Sequence, residues 1–279
     1  MKELAPAKVN LCLYLGPRRP DGYHDLVSVV QSLELADSLE LCDHESAEDE
    51  VRCPGVAGPN LAAGAIAAFR EITGWDGPAQ LLEITKRIPV AAGLGGGSAD
   101  AAAALRLLGR RSGLGTEAEM HRVATALGAD VPSQLRPGRW LAEGIGERLT
   151  PLPDPERLGI LILPSHSALS TAAVYSEADR LGLARSEAEL EAVRDALDPT
   201  SPEPVNDLER AARSLEPTID GAIERALGEG ATHALVAGSG PTVVGLFPTL
   251  QGARAAARRL NQADVDAKAS AALHNSPPA

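Results

Sequence analysis

The segment Pro89–Asp100, PVAAGLGGGSAD, sets four glycines, Gly93, Gly95, Gly96 and Gly97, directly before an alanine- and leucine-rich run. Glycine leaves the backbone N–H groups bare, and a helix start carries roughly half a positive charge. Together these suit a phosphate. The same composition also suits a tight strand-to-helix turn whose glycines only allow close packing, so the loop alone leaves both readings open. Ser98 stands where it would cap the helix or offer its hydroxyl to a phosphate or metal. The loop is not of the Walker type, because GxxxxGK[ST] is absent. A dinucleotide fingerprint fails at Ser98, which replaces the third glycine, and the protein-kinase set fails where Val123 follows His121-Arg122.

Lys8 is one of four lysines against 22 arginines. Its place on the polar face of a strand, beside Asn10, hints that a compact ammonium is wanted, although a strand-edge surface lysine has the same pattern. Asp130 follows the end of a helix at Gly128 and precedes Val131-Pro132. It reads as a turn residue, as the cap of the next helix, or, within reach of a lysine and a phosphate cradle, as the base for a hydroxyl. Tyr23-His24 follows a Pro-Asp-Gly turn in a chain with only seven aromatics. Such a pair either anchors the loop or offers a ring to stack on a planar base and an imidazole to meet its edge.

These residues need elements to hold them. Val9, Leu11, Leu13 and Leu15 alternate with Lys8, Asn10, Cys12 and Tyr14, which predicts a strand over Ala7–Leu15. A second strand or bent hairpin is expected at Leu33–Cys42, and the acidic run Asp43–Glu50 reads as a solvated loop. Helical spacing marks Leu61–Thr73, a strand Gln80–Ile88, and a helix Ser98–Leu108. Thr116 with Glu119 forms a capping box opening a helix to Leu127. Beyond the Pro-rich stretches PLPDP and DPTSPEP, strands are expected at Leu158–Leu163, Ala234–Ala237, Thr242–Phe247 and Ala267–Leu273, with a long helix at Leu250–Ala263. The mixture has no strict βαβ rhythm, which favours an α+β fold in two lobes, divided as 1–152 and 153–279. Cys12 and Cys42 read as core fillers.

The chain has 279 residues, a net charge of −12 and no Lys/Arg cluster longer than a pair, which argues against a nucleic-acid backbone as partner. Three cysteines without a CxxC pair read as reduced thiols in a cytoplasmic protein. The scattered histidines and the lack of HExxH give no metal-site residues. No long apolar run suggests a membrane span, and no secretory signal is visible at Met1. A serine hydrolase is set aside, since neither Ser98 nor Ser239 sits in GxSxG.

In order along the chain, APAKVNLCLYL, RRPDGYHDLVSVVQSLEL, IPVAAGLGGGSADAAAAL, GADVP, AEGIGERL and AGSGPTVVGLF resemble the signature of the GHMP small-molecule kinases. PAK-x-N with DGYH points within them to the branch acting on a diphosphocytidyl-methylerythritol. The resemblance implies two lobes with the active site in the cleft between them, and MgATP-dependent phosphorylation of the 2-hydroxyl of that acceptor. It implies Lys8 and Asp130 as the catalytic pair, and Pro89, Val90, Ala91, Ala92, Gly93, Leu94, Gly95, Gly96, Gly97, Ser98 and Ala99 as the ATP-phosphate loop, with Asn60 and Lys86 also towards the nucleotide. For the acceptor it implies Asn10, Tyr23, His24, Thr171 and Tyr175. The implied partner is a small molecule with a cytidine diphosphate moiety, and a monomer or weak dimer is expected. Ser133-Gln134 departs from the aromatic or apolar pair usual after GADVP, and the tail HNSPPA has no counterpart. Homoserine, mevalonate or sugar kinases of the same superfamily, and a non-catalytic relative, are the alternatives; DGYH argues against the former, the intact Lys8, Asp130 and glycines against the latter.

Overall fold

The computed structural model describes residues 1–56, 58–154, 158–165, 167 and 169–273. The expected tail HNSPPA lies outside them. The chain runs β1 (Lys2–Arg18), β2 (His24–Asp43), β3 (Glu50–Arg52), α1 (Leu61–Thr73), β4 (Gln80–Thr85), α2 (Gly96–Ser112), α3 (Glu117–Leu127), α4 (Val131–Leu135), β5 (Arg139–Gly144) and β6 (Arg148–Pro151). It continues with β7 (Gly159–Leu163), α5 (Thr171–Leu181), α6 (Glu187–Ala196), α7 (Glu209–Leu215), α8 (Thr218–Gly228), β8 (His233–Val236), β9 (Val243–Phe247), α9 (Leu250–Gln262) and β10 (Lys268–Ala271). The fold is α+β. Packing groups these elements into two compact units that interleave along the chain: residues 1–7, 35–90 and 95–137 in one, and 8–34, 91–94 and 138 onward in the other.

In the first unit, β2 pairs antiparallel with β4 from Ser38↔Thr85 to Asp43↔Gln80, and β3 joins β4 in parallel. Helix α2 follows from composition: Ala101, Ala102, Ala103 and Ala104 are buried together with Leu105, Leu107 and Leu108. Small side chains let the neighbouring helix approach, and α1 supplies Ala62, Ala65, Ile66 and Phe69 to the same core. Each buried leucine contributes on the order of 1.5–3 kcal/mol. The capping box of α3 is present as expected, Thr116 Oγ1 and the Glu119 carboxylate each taking the other's backbone N–H. The acidic run is not wholly solvated, because Asp49 is drawn in to bind the Arg70 guanidinium at the end of α1.

In the second unit, β2 pairs with β5 from Leu26↔Gly144 to Gln31↔Arg139, and β6 folds back on β5. A separate antiparallel sheet has the order β10-β7-β9-β8. Its central strands, GILIL and VVGLF, are buried throughout, which is the pattern of a sheet covered on both faces. Helix α9 presents Ala253, Ala256, Ala257 and Leu260 at helical spacing to this core. The second Pro-rich stretch is tied down: the buried guanidinium of Arg139 donates to the carbonyls of Pro199 and Thr200.

Several sequence expectations need correction. The first strand is longer than Ala7–Leu15, and residues 5–16 are all buried, so its alternation separates two interior faces rather than a wet face from a dry one. The second strand begins at His24, not Leu33, because the hairpin turn is closed by Arg19 N–H to Tyr23 C=O. The strand expected to reach Ile88 ends at Thr85, where Asp37 takes over the backbone N–H groups of Arg87 and Ile88. Cys12 is in the core, and burial pushes its thiol up to about 11, but Cys42 is exposed.

Candidate functional site

Within the second unit the site starts at Lys8. Its side chain is only 4% exposed, which removes the surface-lysine reading. Lys8 Nζ donates to Asn10 Oδ1 at 2.8 Å, Asn10 Nδ2 donates to Ser28 Oγ at 2.8 Å, and Ser28 Oγ donates to the Cys12 carbonyl at 2.6 Å. Each donor fixes the next acceptor, so the ammonium is held by a neutral chain rooted in the backbone of β1. Two neighbouring side chains of one strand face share this relay because strand residues i and i+2 point the same way.

The tip of the glycine loop and the GSGP turn both reach this lysine. Lys8 N–H donates to the Leu94 carbonyl at 2.9 Å. Gly93 has φ +71° and no room for a Cβ, which would collide with the Ala237 carbonyl oxygen. Gly238, at φ +56°, approaches so closely that a Cβ there would lie 3.4 Å from the Gly93 carbonyl oxygen, 3.6 Å from Asn10 Oδ1 and 3.8 Å from Lys8 Nζ. Gly93 is therefore required by conformation and by contact, and Gly238 by its conformation. Positive φ recurs at Ala91, Gly93 and Gly95, every second residue, as in backbone concavities that gather N–H groups around an anion.

Asn206 holds the GSGP turn from behind and was not foreseen from the sequence. Its amide donates to the carbonyls of Val236 and Gly238, at 2.8 and 2.7 Å, and its oxygen accepts from Leu208 N–H. The flanking residues lie along β1, with Leu13 N–H donating to Val205 and Asp207 N–H to Leu13. The one hint was an Asn-Asp pair closing the stretch PEPVND. Thr171 opens α5, and its hydroxyl is 3.0 Å from that of Ser239 in the GSGP turn.

Tyr23 and His24 part company. Tyr23 is 59% exposed on the hairpin turn, whereas His24 is 4% exposed and opens β2. The His24 ring packs on Tyr175, centroids 5.5 Å apart, and its Nε2 meets Asp179 Oδ1 at 2.8 Å. A carboxylate only accepts, so Nε2 carries a proton and, in the neutral ring, Nδ1 is the acceptor. Asp179 is a second residue missed by the sequence reading, four positions after Tyr175 and so on the same face of α5.

Within the first unit lie the loop's stems. Helix α2 begins at Gly96, and its N-cap is Gly95 in the left-handed conformation, without a side-chain cap. Ser98 is therefore not the cap; it sits inside the first turn. Asn60 caps α1, accepting from Ala62 N–H at 2.9 Å, and Leu61 Cδ1 lies 3.6 Å from where a Cβ on Gly97 would stand. Pro89 and Val90 connect β4's exit to the loop, and Val90 is exposed. Lys86 is held by two carboxylates, Asp37 and Asp100, which also went unforeseen. Asp130 occupies the N-cap position of α4, but its side chain makes no cap hydrogen bond, so the capping reading fails in detail. Ser133 Oγ donates back to the Asp130 carbonyl at 2.9 Å, and Gln134 is buried with both amide atoms lacking a hydrogen-bond partner.

The chain is similar to known proteins over nearly its whole length. Residues 60–138 match the model of the GHMP kinases N terminal domain, and 188–266 that of the GHMP kinases C terminal domain. The chain is 40% identical over 282 residues to the 4-diphosphocytidyl-2-C-methyl-D-erythritol kinase of Anaeromyxobacter sp. (strain Fw109-5), covering 96% of this chain and 89% of that one. It is 40% identical to the protein of the same name from Pelobacter propionicus, with 92% of each covered. A crystal structure of 4-(cytidine 5'-diphospho)-2C-methyl-D-erythritol kinase matches at a TM-score of 0.81 and 34% identity, over 97% of this chain and 98% of that one. Homoserine kinase from Cytophaga hutchinsonii, at 21% identity and a TM-score of 0.68 over 99% and 95% of the two chains, shares the fold. With its two domains matched and this identity carried through nearly its whole length, the chain belongs to the 4-diphosphocytidyl-2-C-methyl-D-erythritol kinase family of the GHMP kinases.

Proposed function

We propose that the chain transfers the γ-phosphoryl group of MgATP to the 2-hydroxyl of 4-diphosphocytidyl-2-C-methyl-D-erythritol, giving the 2-phosphate and ADP in the non-mevalonate route to isoprenoid precursors. The observation that carries this is the buried Lys8 ammonium, held by Asn10 beside the facing glycine turns at Gly93 and Gly238. A kinase of this kind forms no bond to the substrate itself; it positions two reactants and neutralises charge. Lys8 neutralises the transferring group. Residues Pro89–Ala99, with the N-terminus of α2, receive the phosphates, while Asn60 and Lys86 act in the segments next to the nucleotide. Mg2+ travels with the nucleotide and offsets the phosphate charge. Ser98, which does not cap the helix, would offer its hydroxyl oxygen to that ion or to a phosphate.

Asp130 orients the acceptor hydroxyl and takes its proton. On the acceptor side, Tyr23 supplies an exposed ring for the cytosine face, with Tyr175 as the second aromatic. His24, its proton held on Nε2 by Asp179, offers Nδ1 to the exocyclic amine of cytosine. Asn10 and Thr171 complete the acceptor side. The chain divides by order into 1–152, with the loop and catalytic pair, and 153–279. No helix among the described residues is long and apolar enough to cross a membrane; a polar metabolite as substrate supports a cytoplasmic enzyme.

The test is ADP release from MgATP with 4-diphosphocytidyl-methylerythritol, homoserine and mevalonate offered separately. Turnover with the cytidyl acceptor alone, inhibited by CMP or CDP, is the expected result. Turnover with another acceptor would make Tyr23-His24 a loop anchor, and none with any acceptor, despite bound nucleotide, would point to a binding protein.

A further inference from the structure

The glycine loop leaves one unit of packing at Val90 and returns to it at Gly95, and both stems converge on a single strand residue. Asp37, on β2 and fully buried, accepts the backbone N–H groups of Arg87 and Ile88 on Oδ1. Its Oδ2 accepts from Lys86 Nζ, which also donates to Asp100 Oδ2 at 2.7 Å. Lys86 to Ile88 lead into the loop, and Asp100 lies in the second turn of the helix that leads out. A Cβ on Gly96 would stand 3.3 Å from Lys86 Nζ, so the lysine also lies against the first turn of that helix.

We propose that Lys86 is a positioning residue: with Asp37 and Asp100 it clamps the entry and exit of the glycine loop together, and so sets the loop's affinity for a nucleotide polyphosphate. The inference rests on reading that loop as the phosphate cradle, and deepens it.

The clamp carries two carboxylates for one ammonium, so its net charge depends on Asp100. That carboxyl is buried, and its Oδ1 has no hydrogen-bond partner. Burial pushes its pKa up to about 7 against the pull of Lys86, with Asp37 adding to the rise. Lys86 stays charged: burial works to lower its pKa, but the bonds and charges of Asp100 and Asp37 outweigh that and raise it. Among the other elements around α2, Cys53 after β3 faces the clamp as a thiol kept neutral by burial and by the same carboxylates. The Arg70 guanidinium of α1 is bound to Asp49, and α4 contributes no charged side chain. Above neutrality the clamp gains a negative charge at the stems of a loop that must receive phosphates. Affinity for nucleotide therefore falls as pH rises through about 7.

The full-length protein, Asp37→Asn and Asp100→Asn are compared by MgADP titration calorimetry, and by kinetics with MgATP and the cytidyl acceptor varied independently, from about pH 6 to 9. In Asp37→Asn an amide N–H faces the lysine; Kd for MgADP and KM for MgATP should rise about tenfold, with kcat and the acceptor KM within about threefold. In the wild type the Kd should climb through neutrality, and in Asp100→Asn that climb should vanish. Equal rises in both KM values, or a lower Tm with unchanged nucleotide Kd, would reduce the clamp to a structural support and overturn the proposal. So would a wild-type pH profile in Asp100→Asn. The calorimetric arm needs no acceptor, so a wrong assignment of the kinase reaction shows as absent turnover and leaves the clamp's result readable.

Discussion

Lys8 and Lys86 are two of only four lysines, and both are turned inward, yet they are held in opposite ways. Lys8 donates to a neutral amide, itself fixed by a serine hydroxyl and a backbone carbonyl. Lys86 donates to two buried carboxylates. The amide fixes one ammonium within its own strand, whereas the two carboxylates tie the other to separate chain segments and hold them together. Burial alone says nothing about which role a lysine has; its partners do.

That contrast predicts opposite failures. Lys8→Met should leave a folded protein that binds MgATP but turns over on the order of 10²–10³-fold more slowly, the usual loss when a charge stabilising the transition state is removed. Asp130→Asn should fall similarly, by about 10²–10⁴-fold if it takes the acceptor's proton. Lys86→Met should instead strand two buried carboxylates and cost about 3–5 kcal/mol of stability at neutral pH, read as a denaturant midpoint. A Lys8→Met protein that unfolds while retaining its specific activity, or a Lys86→Met protein of unchanged stability, would break the distinction.

The sequence made Lys8 and the glycine loop visible because their signals are local. PAK-x-N needs four residues of one strand, and the loop's composition is extreme within nine. Element types followed for the same reason: the alanine run of α2 and the Thr116–Glu119 box of α3 are set by neighbours three or four positions away. The clamp was hidden because Asp37, Lys86 and Asp100 are separated by 49 and 14 positions and meet only through folding. Asn206 was hidden likewise, its partners Val236 and Gly238 being 30 and 32 positions away. Ser98 and Cys42 misled because position in a pattern was read as environment: Gly95 already caps the helix, and Cys42 lies on the exposed end of β2.

The loop's glycines carry the contrast further, since they too divide by surroundings. Gly93, near Lys8, combines φ +71° with a carbonyl oxygen where a Cβ would be. Gly93→Ala should cost about 1–2 kcal/mol from the backbone alone and more from the clash, and should raise KM for MgATP. Gly97 lies on the clamp's side, inside α2, with ordinary van der Waals distance to Leu61. Gly97→Ala should leave the fold intact or stabilise it by about 0.5–1 kcal/mol, because alanine gives up less backbone freedom in a helix. Thermal melts of the two variants in the absence of nucleotide decide the matter, and equal losses would mean that the whole loop is packed as one body.

The last effect is the most selective. In the unfolded chain Asp100 releases its proton near the ordinary carboxylate value of about 4, while in the folded chain it holds the proton to about 7. Between those values the folded state binds a proton that the unfolded state has lost, so stability must fall as pH rises through this window. The contribution is complete below about pH 4 and gone above about pH 7. Lys86, raised by its carboxylates, works in an alkaline window instead, and Glu177, held down to about 2 by Arg180 and Ser214, in an acid one. Asp100→Asn removes the middle window alone. Urea midpoints at about pH 5 and 8 should therefore diverge in the wild type and converge in the variant, relative to each other, by the share that Asp100 contributes. If both proteins lose the same stability across that interval, Asp100 is ionised throughout, the clamp is permanently anionic, and the pH dependence expected of nucleotide affinity must be sought in another group.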